Sequence, residues 1–462
     1  MDNHRRQRVR GSFLEALLGL VLAASWGAAP LWAEGLKAGV ARVDITPPTG
    51  VRMWGYFDRL TPAQGVLDPL FARVLVLELG DKRLAYVDLD LGRPFGPTSL
   101  AHLRDRVRRS AGISDVLVQA THTHAGPVVM DEYPGGEPAW EVADLDRIAH
   151  AIDEAQQRAV PARLGAGYGS AYIGYNRRRV NPDGTVTMFW RNSERLPTAP
   201  VDPTVAVLRV DTTDGKPLAI LVNYACHPVT FGPDNLRFSA DFPGVMTETV
   251  EEAFKGTTPS PLCFFLQGAP GDINVYDATI PVKEGAVEKR DCAGRELGKE
   301  AARVARSIHT AEAPQASLDF REDLLTFHLR WDAGRLHRAF LTSSPEIFQT
   351  FAPRLQETMR LPVATVLINQ RIALMTMPGE PFVDFQINWR DRCPVRDAFF
   401  LGYANGYYGY FPTVAAAAQG GYGTASATTW VEVGAGERMV DHALDRLYEM
   451  LGRLSDTPED LK

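Results

Sequence analysis

This 462-residue sequence has little cysteine and lacks basic clusters, contiguous zinc motifs and long apolar runs beyond its first residues. Its net charge is −7 and no stretch concentrates lysine and arginine, so it carries no electrostatic footprint for nucleic acid. No HExxH or comparable local zinc signature occurs. No segment after residue 33 is long and apolar enough to cross a membrane. No repeat or low-complexity linker is present. We therefore expect neither a nucleic-acid-binding protein nor a multi-span membrane protein.

The first 33 residues differ in composition from the remainder of the chain. Four arginines precede an apolar stretch at residues 17–24, and a small residue, Ala33, suits cleavage by signal peptidase. We read residues 1–33 as a secretory signal and expect an exported protein, periplasmic or extracellular. An uncleaved membrane anchor over residues 13–33 is the alternative. The remaining residues 34–462 show no composition break and are expected to form one large domain.

Cysteine usage leaves two interpretations open. The chain has four cysteines, none of them in a CxxC pair: Cys226, Cys263, Cys292 and Cys393. One or two disulfides are possible in an exported chain. Cys226 lies in an apolar strand, where a buried free thiol is equally plausible. The sequence does not give a pairing.

The hydrophobic pattern alternates between strands and helices, which is typical of an α/β fold. Strands are predicted at residues 71–78, 83–91, 205–210, 218–225, 262–266, 317–330, 365–377 and 399–403. Helices are predicted at residues 99–110, with Ser99 as N-cap, and at 144–159, 242–254, 288–308 and 437–454. Several polar motifs directly follow apolar strands, and ligands of α/β sheets gather at strand ends. The fold class is therefore α/β, with a mixed β-sheet core flanked by helices.

The motif Thr121-His122-Thr123-His124-Ala125-Gly126-Pro127 is the first candidate site. The apolar run at residues 116–118 is predicted to be a strand that continues to Thr123. His122 and His124 should then point to the same side, because alternate strand side chains share a face. One imidazole could bind zinc and the other carry protons. The alternative is two surface histidines near a turn. Further along, His227, Glu380 and Tyr410 also follow strands or lie in loops, and each taken alone is more often structural.

Four motifs, in order, resemble the neutral/alkaline ceramidase family. They are GVARVDITPP at residues 39–48, THTHAGP at 121–127, PGE at 378–380 and NGYYGY at 405–410. The resemblance extends across most of residues 34–462 and implies the family's catalytic-domain fold. It implies one zinc ion per chain held by His122, His227, Glu380 and Tyr410. It also implies that His124, Arg177, Tyr410 and Tyr422 act on the substrate.

The implied chemistry agrees with these residue types. Two imidazoles and a carboxylate are a normal catalytic zinc set, and bound zinc lowers the pKa of water to about 7. His124 would transfer protons, and Arg177, Tyr410 and Tyr422 would stabilise an oxyanion. Either Asp90 or Asp272 is a candidate to orient a ligand imidazole, although both could instead cap helices or brace turns.

Three features depart from the family pattern. Asn274 stands where family members carry a serine, so a serine nucleophile is excluded and zinc-activated water remains. The chain ends without the C-terminal β-sandwich of longer members. No extra apolar hairpin or helix for gripping a lipid is evident.

The sequence therefore predicts an exported zinc-dependent amidohydrolase of linear amides, ceramidase-like, acting on a ceramide-like or other N-acylated substrate. Sphingolipid metabolism is its expected context. The partners are a small-molecule or lipid N-acyl substrate, with possible peripheral membrane contact and no nucleic acid. Two alternatives remain: an esterase or deacetylase on O-acyl or N-acetyl sugars, and an inactive family member that binds ligand. The physiological substrate and the oligomeric state are not given by the sequence.

Overall fold

A computed structural model describes residues 35–133, 135–258, 260–343, 356–425, 427–455 and 457–461. The predicted signal segment, residues 1–33, lies outside this part of the chain. In chain order the strands are β1 (Lys37–Asp44), β2 (Gly65–Val66), β3 (Phe71–Leu79), β4 (Lys82–Leu89), β5 (Asp115–Ala120), β6 (Val160–Ser170), β7 (Gly174–Asn176), β8 (Arg178–Val180), β9 (Val186–Met188), β10 (Thr204–Thr212), β11 (Pro217–Tyr224), β12 (Arg237–Phe238), β13 (Leu262–Gln267), β14 (Ile273–Val275), β15 (Leu318–His328), β16 (Thr358–Ile368), β17 (Ile372–Thr376), β18 (Glu380–Pro381), β19 (Asp397–Leu401) and β20 (Tyr410–Phe411).

The helices are α1 (Pro97–Ala111), α2 (Ala139–Gln157), α3 (Asp241–Ala253), α4 (Ala286–Ser307), α5 (Ala333–Ser343), α6 (Val383–Arg392), α7 (Val414–Gln419) and α8 (Ala435–Met450), with short 3-10 turns at Val282–Glu284 and Glu459–Leu461. Every helix predicted from the sequence is present, but the N-cap prediction for α1 is wrong. Gly96 occupies the cap and a proline opens the helix. Ser99 lies inside the first turn, where its hydroxyl donates to Glu141 at 2.7 Å.

The central sheet has eight strands in the order β13-β11-β10-β6-β1-β3-β4-β5. The pairs β4–β5 and β11–β13 are parallel, and the pairs joining the inner strands are antiparallel. Helix α1 connects β4 to β5 and helix α3 connects β11 to β13, as a parallel pair requires a crossover. The predicted mixed sheet flanked by helices is therefore confirmed.

A second sheet of four strands, β15-β16-β17-β19, packs against one face of the central sheet. The alternation along β3 shows how the two faces are divided. Leu75 and Leu77 face the second sheet, in a cluster with residues of β16, β17 and β19. Val74 and Val76 point the other way and lie in the cluster that includes α1 and α2. Helices α3 and α4 cover the β10, β11 and β13 part of the helical face. The second sheet is in turn covered by α6 and α8, which gives four layers in the order helix, sheet, sheet, helix.

Buried amide side chains bring the strand ends of both sheets to one place. The Nε2 of Gln119, in edge strand β5, donates to the carbonyls of Gln267 at 2.7 Å and Gly402 at 2.9 Å. Gln267 ends the opposite edge strand, β13, so the central sheet curls until its two edges approach. The carboxyl ends of β5, β13 and β19 thereby meet, and the loops that follow them build the candidate site.

The four cysteines form no disulfide in the structure, so the free-thiol interpretation of Cys226 holds. Cys226 and Cys263 are buried, whereas Cys292 is exposed. In the described residues, no helix has both the length and the apolar character that a bilayer crossing needs.

Candidate metal centre and active site

His122 lies just beyond β5 and has a left-handed backbone, with φ of 71°. The prediction that His122 and His124 continue a strand is therefore wrong, because the strand ends at Ala120. The backbone N–H of His122 donates to Leu91 at 2.9 Å, and its Nδ1 lies 2.6 Å from the carbonyl of Gly92. The two imidazoles converge all the same, with 3.3 Å between their Nε2 atoms. The turn of the backbone, and not strand alternation, brings them together.

His227 follows β11 and is completely buried. Its Nδ1 lies 2.5 Å from the carbonyl of Pro270, and its backbone N–H donates to Ile273 at 3.0 Å. The loop after β13 therefore fixes the ring of this residue, and the start of β14 fixes its backbone. Its Nε2 points to Glu380, 3.0 Å from Oε2.

Glu380 is held in the site by backbone pairing and by tyrosine hydroxyls. Strand β18 pairs with β20 so that Glu380 lies beside Tyr410. The hydroxyl of Tyr407 donates to Oε1, and that of Tyr403 donates to Oε2 at 3.3 Å. Burial alone would raise the pKa of Glu380, but His122, His227 and the hydroxyl of Tyr407 together hold the pKa well below its usual range. The carboxyl group is thus a buried carboxylate.

His124 is the third imidazole, and a loop that the sequence did not single out holds it in place. The Nη2 of Arg59 donates to the backbone carbonyl of His124 at 2.8 Å. The ring of Tyr56 packs edge-on at 5.4 Å, while its hydroxyl donates to Phe231. Gly55 lies against the imidazole so closely that a Cβ would be 2.6 Å from the Cβ and Cγ of His124. Only the close approach of a glycine, at a φ of 112°, could have signalled this loop.

Arg177, Tyr410 and Tyr422 form the wall of the site opposite His124. Nη2 of Arg177 donates to the hydroxyl of Tyr410 at 3.0 Å and to the carbonyl of Gly271 at 2.7 Å. Its guanidinium lies 5.2 Å from the centre of the Tyr422 ring, which packs edge-on against Tyr410. Burial, followed by the Glu380 charge, raises the pKa of Tyr410 well above its usual value, so its hydroxyl stays protonated. The structure therefore brings together every predicted site residue.

Asp90 and Asp272 have the structural roles that the sequence left open as the alternative, and their contacts in the described residues do not include a ligand imidazole. Asp90 pairs with Arg73 at 2.9 Å and accepts from the backbone of Phe71. Asp272 accepts from the N–H of Val383 and from the Nδ2 of Asn176. Their partners join strands and loops around the site, whereas backbone carbonyls orient the imidazoles.

The donor set of the site fits a cation. Burial lowers the pKa of His122 to about 3, and it also lowers the pKa of His227, so both rings are neutral. A neutral imidazole has one N–H, and each Nδ1 faces a backbone carbonyl. The lone pair of each Nε2 therefore faces the Glu380 carboxylate, at 3.6 Å for His122 and 3.0 Å for His227. A cation placed between these atoms would satisfy the carboxylate and both imidazole nitrogens at once.

The spacing of these atoms agrees with a small tetrahedral ion. Zinc bonds of about 2.0–2.1 Å place neighbouring tetrahedral ligands about 3.3 Å apart. The ligand nitrogens of His122, His124 and His227 all lie within 4.8 Å of one another and could hold a metal ion. The Nδ1 of His124 is buried without a hydrogen-bond partner in the described part of the chain. His124 therefore lies beside the predicted ligands, close enough to act on groups bound at the metal.

Comparison with known proteins places the chain in a family. The profile described as "Neutral/alkaline non-lysosomal ceramidase, N-terminal" matches residues 36–296, more than half of the chain. The chain belongs to this family. The match ends before Glu380, so the carboxylate and tyrosine part of the site lies outside the matched residues of the ceramidase profile.

Curated relatives carry the same family name. The neutral ceramidase of Pseudomonas aeruginosa is 28% identical over 251 residues, which are 51% of this chain and 36% of that protein. The neutral ceramidase of Mycobacterium tuberculosis is 25% identical over 266 residues, 52% of this chain and 40% of that protein. The aligned stretch thus spans less than half the length of these ceramidases.

Solved ceramidase structures share the fold over almost the whole chain. The crystal structure of neutral ceramidase from Pseudomonas aeruginosa superposes with a TM-score of 0.71 at 20% identity, covering 92% of this chain and 76% of that one. A ceramidase complexed with C2 gives a TM-score of 0.70 with the same coverage. The predicted neutral ceramidase fold is therefore confirmed over 92% of this chain.

Proposed function

We propose that this chain is a zinc-dependent amidohydrolase that cleaves the N-acyl bond of a ceramide-like substrate. The observation that carries the proposal is the meeting of two neutral imidazole nitrogens with a buried carboxylate, at 3.0 and 3.6 Å. Relatives named neutral ceramidase support the choice of an amide bond.

The proposed ligands are His122, His227, Glu380 and Tyr410. Imidazole and carboxylate ligands suit zinc, and backbone carbonyls behind the imidazoles strengthen them as donors. When bound, zinc would lower the pKa of water and withdraw electrons from the substrate carbonyl. Burial raises the pKa of Tyr410 well above its usual value, and its hydroxyl contacts Arg177 and Glu380.

His124 is proposed as the group that moves protons. Hydrolysis of an amide needs a proton on the departing amine nitrogen, because an amide anion is a very poor leaving group. Nε2 of His124 lies 3.3 Å from Nε2 of His122, beside the metal ligands. Arg59 holds its backbone and Tyr56 holds its ring, so the imidazole is fixed before a substrate arrives.

Arg177, Tyr410 and Tyr422 are proposed to stabilise the negative oxygen that develops on the attacked carbonyl. The Nε–H of Arg177 is buried without a hydrogen-bond partner among the described residues. It is therefore an unused donor in a low-dielectric site, where a hydrogen bond to a developing charge is strong. Tyr410 stays protonated and so supplies an O–H donor beside it.

We also propose that the chain is exported, with residues 1–33 as the signal. The arginines and apolar stretch of that segment support this. Peripheral contact with a membrane would accompany a ceramide-like substrate. N-terminal sequencing of protein recovered outside the cytoplasm checks the proposal: cleavage near Ala33 supports it, and an intact N-terminus on cytoplasmic protein contradicts it.

Activity measurements test the proposed reaction. Purified protein is assayed on a short-chain ceramide, a chromogenic N-acyl amide, a chromogenic O-acyl ester and an N-acetyl sugar, each with and without chelator. We expect amide cleavage that chelator abolishes and added zinc restores. Faster cleavage of the ester or the sugar would favour the esterase or deacetylase alternative. Zinc binding without turnover of any substrate would instead indicate an inactive family member.

A further inference from the structure

We infer that Asn274 is a positioning residue that holds the guanidinium of Arg177 against Tyr410. The inference rests on the proposed function and assigns a role to the residue that replaces the family's serine. A carboxamide has no nucleophilic oxygen for acyl transfer, so its contacts must explain what it does in the site.

The backbone places Asn274 at the centre of a small ladder. Strand β14 pairs with β7 so that Asn274 lies opposite Tyr175, and Asn274 forms an isolated bridge with His227 on its other side. Directly paired residues point their side chains to the same face. The side chain of Asn274 therefore lies between the imidazole of His227 and the ring of Tyr175, where it is 2% exposed.

Both ends of this side-chain amide are used. Its Oδ1 accepts from Nη1 of Arg177 at 3.2 Å. The side chain also hydrogen-bonds to Tyr175, whose hydroxyl donates to the carbonyl of Phe189 at 2.8 Å. Because that hydroxyl already donates its proton to the carbonyl of Phe189, it acts as the acceptor for Nδ2 of Asn274. The amide is thus fixed in one orientation, with its oxygen towards the guanidinium.

Asn274 restrains Nη1 of Arg177, the end of the guanidinium that Gly271 and Tyr410 do not hold. Nη2 of Arg177 is held by Gly271 and Tyr410, and aromatic rings flank the group. Without the contact to Nη1, the guanidinium can rotate about Nη2. This rotation would turn its unused Nε–H away from the oxygen of the attacked carbonyl. A misplacement of 1 Å at a reacting group can cost about 100-fold in rate.

A double-mutant cycle tests this role. We expect Asn274→Ala to lower kcat about 10- to 100-fold with little change in KM, because the contact matters in the transition state. In an Arg177→Ala background, Asn274→Ala should have no further effect, since the group that it positions is gone. If the loss of kcat in the double variant equals the product of the two single losses, the inference is overturned.

A matched control uses Asn223, an equally buried amide in β11. Its Nδ2 donates to the carbonyls of Leu266 and Phe400, so it ties strands together without contacting Arg177. Asn223→Ala is expected to lower the melting temperature but to keep kcat near that of the unmodified protein. A loss of kcat equal to that of Asn274→Ala would show a general effect of packing and contradict positioning.

A crystal structure of the Asn274→Ala variant decides the question without activity. We expect the guanidinium of Arg177 to be displaced or disordered while the backbone of β14 is unchanged. An Arg177 side chain in its original place would overturn the inference even if activity fell. If no variant and no unmodified protein hydrolyses any amide, the proposed function fails, and this structural comparison still tests the positioning role.

Discussion

Tyr407→Phe isolates one hydroxyl that supports the proposed metal ligand Glu380. The hydroxyl donates to Oε1, while the other oxygen, Oε2, faces His122 and His227. Phenylalanine keeps the ring, which is 5% exposed, so packing against the neighbouring aromatic rings is retained. The change therefore removes the hydroxyl that contacts this buried carboxylate.

Two independent arguments give the expected change in zinc affinity. A hydrogen bond to a charged group contributes about 1.5–3 kcal/mol, which corresponds to roughly 10- to 150-fold in an equilibrium constant. Outer partners of metal ligands typically change metal affinity by about 10- to 100-fold. We therefore expect the Kd for zinc to rise about 10- to 100-fold in Tyr407→Phe.

The assay is competition for zinc against a chromogenic chelator of known affinity. Tyr224→Phe is the control, because its buried hydroxyl donates to the neutral carbonyl of Ala171 at 2.8 Å. It should lose about 1 kcal/mol of stability and keep its zinc affinity. A Tyr407→Phe variant that is folded and binds zinc as tightly as the unmodified protein would refute Glu380 as a ligand.

Four further substitutions probe the same region and its scaffold. His227→Ala should remove zinc and activity together, whereas His124→Ala should keep zinc content in elemental analysis and lose turnover; full zinc content in His227→Ala would contradict the ligand set. Gly50 and Gly55 both have positive φ, but only Gly55 touches the His124 ring. Gly55→Ala should therefore lower kcat more than Gly50→Ala. Equal kcat values in the two variants would show that this loop does not position His124. Burial raises the pKa of Asp144 to about 7, so unfolding free energy should fall as pH rises from about 4 towards 7. Asp144→Asn should flatten that dependence in urea titrations, and an unchanged slope would contradict it.

The sheet and most helices were predictable because their apolar patterns are long and regular. Strand β3 alternates two apolar faces, and the structure buries Val74 towards helices and Leu75 towards the second sheet. What the pattern did not show is that both faces are covered, which gives the four-layer arrangement. Apolar residues on both sides of a strand indicate burial, but they do not specify whether a helix or a sheet covers each side.

The sequence predicted which residues form the site, but it did not predict the contacts that hold them in place. His122 and His227 carry no local signal for the carbonyls of Gly92 and Pro270 that orient them, because those contacts come from loops distant in sequence. Asp90 was a reasonable candidate for that task, yet its buried partner is Arg73. Which acid pairs with which base depends on tertiary packing, and spacing along the chain does not encode it.

The loop that holds His124 shows the same limit. Arg59 lies 65 residues before His124 and bonds its backbone carbonyl, a contact that any residue type at position 124 would permit. Only Gly55 gave a hint, since a glycine is required where a backbone packs against a ring. Contacts to backbone atoms leave little trace in the sequence of the residue contacted.

Anomalous diffraction at the zinc edge, on crystals of protein purified without chelator, tests the central claim most directly. The account predicts a single strong peak about 2.0–2.2 Å from Nε2 of His122, Nε2 of His227 and a carboxylate oxygen of Glu380. Fully zinc-loaded crystals with no peak between these three side chains, or with the metal held elsewhere, would contradict it.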